Sequence, residues 1–363
     1  MNMNGPERAA AAESAAAAVG RVNQAVAEVS TAIRSNVRRH LKVLGPAGTL
    51  PMDAVDAHHD GVHRVIGWSA TVVGRVAGAG LDARTAADVG SIHDDPTATV
   101  KVAGARAAFG DVLPPPLNPP MMLIDTEIGP SGPTPALAVF VHGLGGHERQ
   151  WGPSYLDTLS SHGFTCLVVR YSTGLPIRAN GAELARVLVE HLDRADEPTT
   201  RLVLIGHSMG GLVITEALAT DLGKARLVGL VTDVVTLGTP FQGAPLERFA
   251  RSVLAAGSKS AVAAPILALG DHRSAGIKDL GDGITVGLPA GIRHHAVVAH
   301  LGGAPGSLKS TLLGDGMVRP TSAMGVAPHP ELFVHHLPES GHLHLLDHPG
   351  VTELLSQEIP RNR

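Results

Sequence analysis

The chain is poor in cysteine. Cys166 is the one cysteine among 363 residues, so no intrachain disulfide can form and the core alone must hold the fold. It lies in the apolar run Phe164-Thr165-Cys166-Leu167-Val168-Val169, the setting of a buried small hydrophobe rather than of a reactive thiol. Basic charge is not in excess either. Lys and Arg number 29 against 33 Asp and Glu, a formal net charge of −4. This excludes a dedicated nucleic-acid binder, whose affinity rests on neutralising phosphates. Residues 1–20 are Ala-rich but carry Glu7, Arg8 and Glu13, with no basic stretch leading into an apolar one, so no secretory signal is read there. The longest apolar segment of the first hundred residues, Val62 to Leu81, is broken by His63, Arg64 and Arg75. It falls short of the ~20 apolar residues that a membrane span needs. The expectation is a soluble, cytoplasmic protein.

What is present is material for a large core: 44% of residues are apolar and 17% charged, which argues against global disorder. The composition changes near residue 113. Residues 1–112 read as an N-terminal helical extension rich in Ala, Val, Gly and Arg, with helices over 16–43, 60–79 and 99–109. The Pro-rich stretch 113–120 reads as an extended linker. From residue 121 to 363, short β-rich runs at 136–142, 164–171, 201–206, 227–237, 292–299 and 332–337 alternate with helical patterns at 151–161, 180–194, 209–222 and 343–357. That alternation predicts parallel βαβ units, hence an α/β fold: a mainly parallel sheet with helices on both faces. Residues 241–291 interrupt the rhythm and are the candidate lid. Their apolar stretches 246–256 and 261–269, with Phe241 and Phe249, are the expected walls of an apolar pocket.

The strongest chemical signal is Gly206-His207-Ser208-Met209-Gly210-Gly211, between the β-run Leu202-Val203-Leu204-Ile205 and a helical pattern from Leu212. A G-x-S-x-G segment in strand–turn–helix context is a nucleophile elbow, which makes Ser208 the candidate nucleophile. The turn projects the serine oxygen from the sheet edge, and glycines let the neighbouring backbone come close. The helix N-terminus favours the negative charge that develops there. The second signal is Val139-Phe140-Val141-His142-Gly143-Leu144-Gly145-Gly146, a β-run entering a Gly-rich loop. Acyl transfer needs preset backbone N–H donors for the oxyanion; here these are Leu144 and Met209, while His142 is expected to be structural. No Gly-Lys-Ser/Thr follows the loop, which disfavours a nucleotide site.

A serine hydroxyl needs a general base and the base needs an orienting acid. In this fold class they follow the serine in the order acid, then histidine. Asp315, in Gly314-Asp315-Gly316-Met317-Val318, is read as the acid, and His342, in Glu339-Ser340-Gly341-His342, as the base. The competitors are His344 for the base and Asp233, Asp282 or Asp271 for the acid. Asp233 stands at the start of its β-run, the wrong end for such a site. The cluster His342, His344, Asp347 and His348 could mimic a metal site and so a metal-dependent hydrolase. In a helix from Leu343, however, residues two apart face different ways. His147-Glu148 lacks a second histidine at helical spacing.

With these motifs and Leu237-Gly238-Thr239-Pro240, the chain resembles the bacterial lipase/esterase branch of the α/β-hydrolase superfamily, including triacylglycerol-lipase-like and glycosylphosphatidylinositol-deacylase-like (PGAP-type) hydrolases. Arg170-Tyr171-Ser172-Thr173-Gly174, Gly243-Ala244 and Arg273 to Leu280 also match, and the likeness spans about residues 121–356. The resemblance implies carboxylic-ester hydrolysis without cofactor or metal, through Ser208, Asp315 and His342 with Leu144 and Met209 at the oxyanion. The implied partner is a small-molecule or lipid ester. Weak membrane-surface contact through the N-terminal helices and an inactive, hydrolase-like binding protein are the rival expectations.

Overall fold

The computed structural model describes residues 118–126, 128, 134–244, 274–303, 314–326 and 328–359, with Pro6, Ala10, Thr99, Ala103, Arg106, Ala107, Gly110, Leu113 and Ser307. The chain divides into two compact units. One, 1–99, 112–118 and 264–273, lies almost wholly outside the described residues, and so do the helices expected over 16–43 and 60–79. The other comprises residues 100–111, 119–263 and 274–363 and carries the sheet. Among the described residues, no helix is long and apolar enough to cross a membrane.

The sheet has seven strands: β1 (Met122–Asp125), β2 (Ala136–Val141), β3 (Thr165–Arg170), β4 (Arg201–His207), β5 (Val231–Leu237), β6 (Arg293–Ala299) and β7 (Leu332–Leu337). Their order is β1-β3-β2-β4-β5-β6-β7. Only β1 runs antiparallel, paired with β3 from Met122↔Arg170 to Asp125↔Leu167. The central strands are nearly continuous apolar runs because both faces of a parallel sheet are covered. One face packs α1 (Pro153–Ser161) and, following the short α6 (Pro320–Ala323) in the chain, α7 (Pro349–Gln357) around Phe140, Tyr155, Leu159, Ile205, Val235 and Leu355. The helices α2 (Ile177–Arg194) and α3 (Met209–Ala219) turn Leu184, Leu188, Leu212 and Val213 inward, all fully buried. Each such side chain contributes roughly 1.5–3 kcal/mol. Cys166 is wholly buried, and burial pushes its thiol up to about 12.

Several boundaries differ from expectation, each for a physical reason. Strand β1 was not expected. Helix α2 starts at Ile177 rather than 180, because Asp279 Oδ2 accepts the Ile177 N–H at 2.8 Å and so caps it from a distant segment. The helix expected over 209–222 is broken at Thr220, whose hydroxyl accepts the Gly223 N–H at 2.9 Å and starts α4 (Asp221–Arg226). The run 227–237 is strand only from Val231, since Leu227 to Leu230 close a turn at 2.8 Å. The helix expected over 343–357 is a 3₁₀ turn, His342–Leu346, followed by α7. Pro349 cannot continue a helix, and His348 Nδ1 caps the new one by accepting the Gly350 N–H at 3.0 Å.

Within 241–291, residues 245–273 lie outside the described ones. The flanks belong to the packed body. α5 (Ala275–Asp282) buries Ile277 and Leu280, and Phe241 is buried with its ring edge-on to His294 at 5.6 Å. Phe241 is thus a core residue rather than a pocket wall, while Phe249 and the stretches 246–256 and 261–269 lie outside the described residues.

Candidate active site

Sheet order locates the site. β3 lies on one side of β2 and β4 on the other, so the chain reverses direction across the sheet between β2 and β4. The crevice at the carboxyl ends of such strands is where open α/β sheets bind ligands. Val141 pairs with Gly206, so the loop after β2 and the turn after β4 emerge side by side.

Ser208 forms that turn with φ 53° and ψ −123°, a conformation an L-residue adopts only under strain of about 1–3 kcal/mol. Its N–H donates to Leu237 O at 2.8 Å, tying it to the end of β5. Met209 is the first residue of α3, so its N–H has no acceptor within the helix. A Cβ on Gly210 would lie 2.8 Å from His142 O, which explains the second glycine of the motif.

The loop after β2 touches this turn directly: a Cβ on Gly143 would lie 2.9 Å from Ser208 Cβ and 3.2 Å from His207 Nδ1. The Gly143 carbonyl accepts Gly146 N–H at 2.9 Å and His142 Nδ1–H at 3.0 Å. Two donors fix that carbonyl, and in a trans peptide the N–H on the other side, Leu144's, points the opposite way. Burial pushes the His142 imidazole down to about 4, so it is neutral. It stacks on Tyr171 at 4.4 Å, and the Tyr171 hydroxyl donates to His142 O at 2.6 Å. His142 serves the loop's structure.

Asp315 and His342 meet across 27 positions of sequence. His342 Nδ1 lies 2.6 Å from Asp315 Oδ2, with both side chains buried. The other oxygen, Oδ1, accepts the Met317 and Val318 N–H groups at 2.9 and 2.7 Å. A proton on Nδ1 leaves Nε2 with its lone pair, and among the described residues that buried atom has no hydrogen-bond partner, Ser208 included. Gly238, at φ 59°, holds the pair close to β5: a Cβ there would lie 2.9 Å from His342 Nδ1 and 3.0 Å from Asp315 Oδ2. His207 spans the remaining gap. Its ring lies 4.8 Å from that of His342, and its Nε2 lies 3.2 Å from His342 O. Burial, and then the nearby His342, hold the His207 imidazole well below its usual range, so the second ring stays uncharged.

The fold therefore gathers Ser208, Met209, Leu144, Asp315 and His342 at one end of the sheet. The rivals lie elsewhere. His344 is exposed, with its Nδ1 on the Gly341 N–H. Asp282 is exposed at the end of α5, and Asp271 lies outside the described residues. Asp233 is buried near the opposite strand end, ion-paired to Arg293 at 2.6 Å and Arg201 at 3.2 Å. His342, His344 and His348 are committed to separate partners, His348 Nε2 to Ser340 Oγ at 2.9 Å. Among the described residues, no three His, Cys, Asp or Glu side chains are placed to hold a metal ion.

Two residues near the site were not singled out from sequence. His207 is one; Thr173, whose Oγ1 accepts the Gly145 N–H at 3.2 Å, is the other. The identity of His207 as the variable position of the motif was a signal. Thr173 had none beyond its place in a matching stretch.

The sequence profile described as the alpha/beta hydrolase family matches residues 138–353, more than half of the chain. The chain belongs to the α/β-hydrolase family. Among solved structures, the hydrolase is similar to the mature Bacillus licheniformis lipase BlEst2, at 21% identity and a TM-score of 0.43, over 65% of this chain and 97% of that one. A thermophilic esterase from Thermogutta terrifontis is similar at 17% identity and a TM-score of 0.41, over 65% and 91%. A lipase-esterase related protein from Clostridium acetobutylicum is similar at 12% identity and a TM-score of 0.41, over 64% and 97%. No curated protein matches the chain in sequence.

Proposed function

We propose that this hydrolase cleaves carboxylic esters through a Ser208–His342–Asp315 triad and an acyl-enzyme intermediate. The observation that carries the reading is the state of His342. Asp315 holds its Nδ1 at 2.6 Å, its Nε2 has no partner among the described residues, and Ser208 stands nearby in a left-handed strand-to-helix turn. Catalytic hydrogen bonds are often open in unliganded sites and close around substrate, so the missing serine–histidine bond is compatible with this role.

In the first step Ser208 Oγ attacks the ester carbonyl carbon and its proton passes to His342 Nε2. The carbonyl oxygen becomes an oxyanion facing the Leu144 and Met209 N–H groups. Each such donor contributes ~10²–10³ in rate. Collapse of the tetrahedral intermediate breaks the C–O bond, and the alcohol leaves with the proton from His342. Water then attacks the acyl-enzyme, again giving its proton to Nε2, and the acid is released as Ser208 regains a proton. Asp315, held by two backbone N–H groups, orients the imidazole and stabilises the imidazolium. No step needs a cofactor.

The test is hydrolysis of a chromogenic short-chain ester by the wild type and by Ser208→Ala. The variant should lose at least about 10³-fold in kcat while keeping its circular dichroism. Wild-type turnover in the folded variant would overturn the reading.

A further inference from the structure

Behind the loop that carries Leu144 lies chain that the sequence places before the Pro-rich stretch. Ala103, Arg106, Ala107 and Gly110 are all buried; the first three are helical, at the spacing of one helix face, and Gly110 stands in the turn that follows. Ser274 Oγ donates to Ala107 O at 2.6 Å. Gly110 meets Gly174 backbone to backbone: a Cβ on Gly174 would lie 2.6 Å from Gly110 N, and one on Gly110 3.0 Å from Gly174 Cα. Gly174 adjoins Thr173, which is 1% exposed and takes the Gly145 N–H at 3.2 Å. The same loop is held a second time at Glu148, which Arg170 pairs at 2.6 Å. Arg106 is buried to 5% exposure, and burial pushes its guanidinium down to about 10 while the charge of Glu148 opposes the shift.

Gly143, Gly145 and Gly146 each have more backbone freedom to lose than any other residue in their place. Yet an oxyanion donor is useful only if it is already in place when charge develops. We propose that Ala103, Arg106, Ala107 and Gly110 brace the oxyanion loop from behind and that Thr173 is the positioning residue through which the brace fixes the Leu144–Gly145 peptide. The inference rests on the role given to Leu144 above. It makes a segment upstream of Pro114 part of the catalytic unit.

The test uses the full chain and two readouts: amide hydrogen exchange of peptides covering residues 142–150, and kcat with KM on the short-chain ester. Thr173→Val keeps the side-chain shape but removes the acceptor. It should speed exchange in 142–150 about tenfold and lower kcat about tenfold with KM within about twofold, since the donor acts in the transition state. Thr173→Ser keeps the hydroxyl and should restore both. Gly110→Val, which forces the helix away from Gly174, should move both readouts in the direction of Thr173→Val. Should Gly110→Val not fold, Ser274→Ala removes only the bond to Ala107 O and should give a smaller shift of the same sign. Wild-type exchange and kcat in Thr173→Val would overturn the positioning role. Wild-type exchange at 142–150 in folded Gly110→Val, or in Ser274→Ala in its place, would overturn the brace. Exchange is read without turnover, so a protein lacking esterase activity would sink the proposed function and still decide the brace.

Discussion

Asp233 and Asp315 each hold a buried histidine, at opposite ends of the sheet, and their surroundings differ in every respect that matters for chemistry. At the amino end, Asp233 is paired with Arg293 at 2.6 Å, Arg201 at 3.2 Å and His295 Nε2 at 3.3 Å. The second nitrogen of His295 is spent on His335 Nε2 at 3.1 Å. Burial pushes the Asp233 carboxyl up, but hydrogen bonds from His295, Thr232 and Arg201 and the charge of Arg293 outweigh it and leave it below its ordinary value. Those arginines also bind the Ile359 and Glu358 carbonyls, so the cluster fastens these two residues after α7. At the carboxyl end, Asp315 meets its histidine at 2.6 Å, is held by neutral backbone donors, and leaves Nε2 open among the described residues. The residue types are the same. A saturated pair stabilises the fold, while a pair with one open nitrogen can move a proton.

The contrast can be broken most sharply by parallel amide substitutions. Asp315→Asn should lower kcat/KM on an ester by about 10⁴-fold, because the imidazole loses its orienting anion and correct tautomer. Asp233→Asn should leave kcat/KM within about threefold. Steady-state kinetics on both variants checks this, and equal losses would erase the distinction. In urea unfolding the order should invert: Asp233→Asn should lose about 3 kcal/mol, since it strands two partly buried arginines.

Protons sharpen the comparison further. Above pH 6.5 the buried His142 is neutral in folded and unfolded chains alike. Between 6.5 and about 4 the unfolded chain binds a proton there and the folded one does not, so stability falls with pH across that window. The loss from His142 alone is about 3 kcal/mol. His207 and His294, pushed down chiefly by burial, add losses of the same sign. Unfolding midpoints measured from pH 7 to pH 4 should decline steadily, and a flat profile would contradict neutral buried rings. The smallest effect is expected at Cys166. Its raised thiol should ignore disulfide reagents in the native state and react only on unfolding, which a thiol titration in rising urea would show.

Much of this arrangement was legible in sequence because local chemistry dictates it. Gly206 to Gly210 between an apolar strand and a helix admits few backbones, and Asp315 and His342 each follow a strand at its carboxyl end. Asp233 was separable as a rival for the same reason, from its place at a strand's start. The illegible parts depend on distant contacts. β1 is four residues long, Met-Leu-Ile-Asp, and becomes a strand only through β3. The start of α2 is set by Asp279, about a hundred residues away. The break at Pro349 could have been read, since proline carries its own stop signal. That Gly110 and the Arg106 carbonyl press on Gly174 could not, because small residues on a helix do not name their partner.

The central claim is that the open Asp–His pair activates Ser208. Labelling of the wild type, Asp315→Asn and Asp233→Asn with a fluorophosphonate, followed by mass mapping, tests it most directly. The account predicts one adduct on Ser208, formed at similar rates in the wild type and Asp233→Asn and far more slowly in Asp315→Asn. Absence of the Ser208 adduct from folded wild type, or equal labelling of Asp315→Asn, would contradict it.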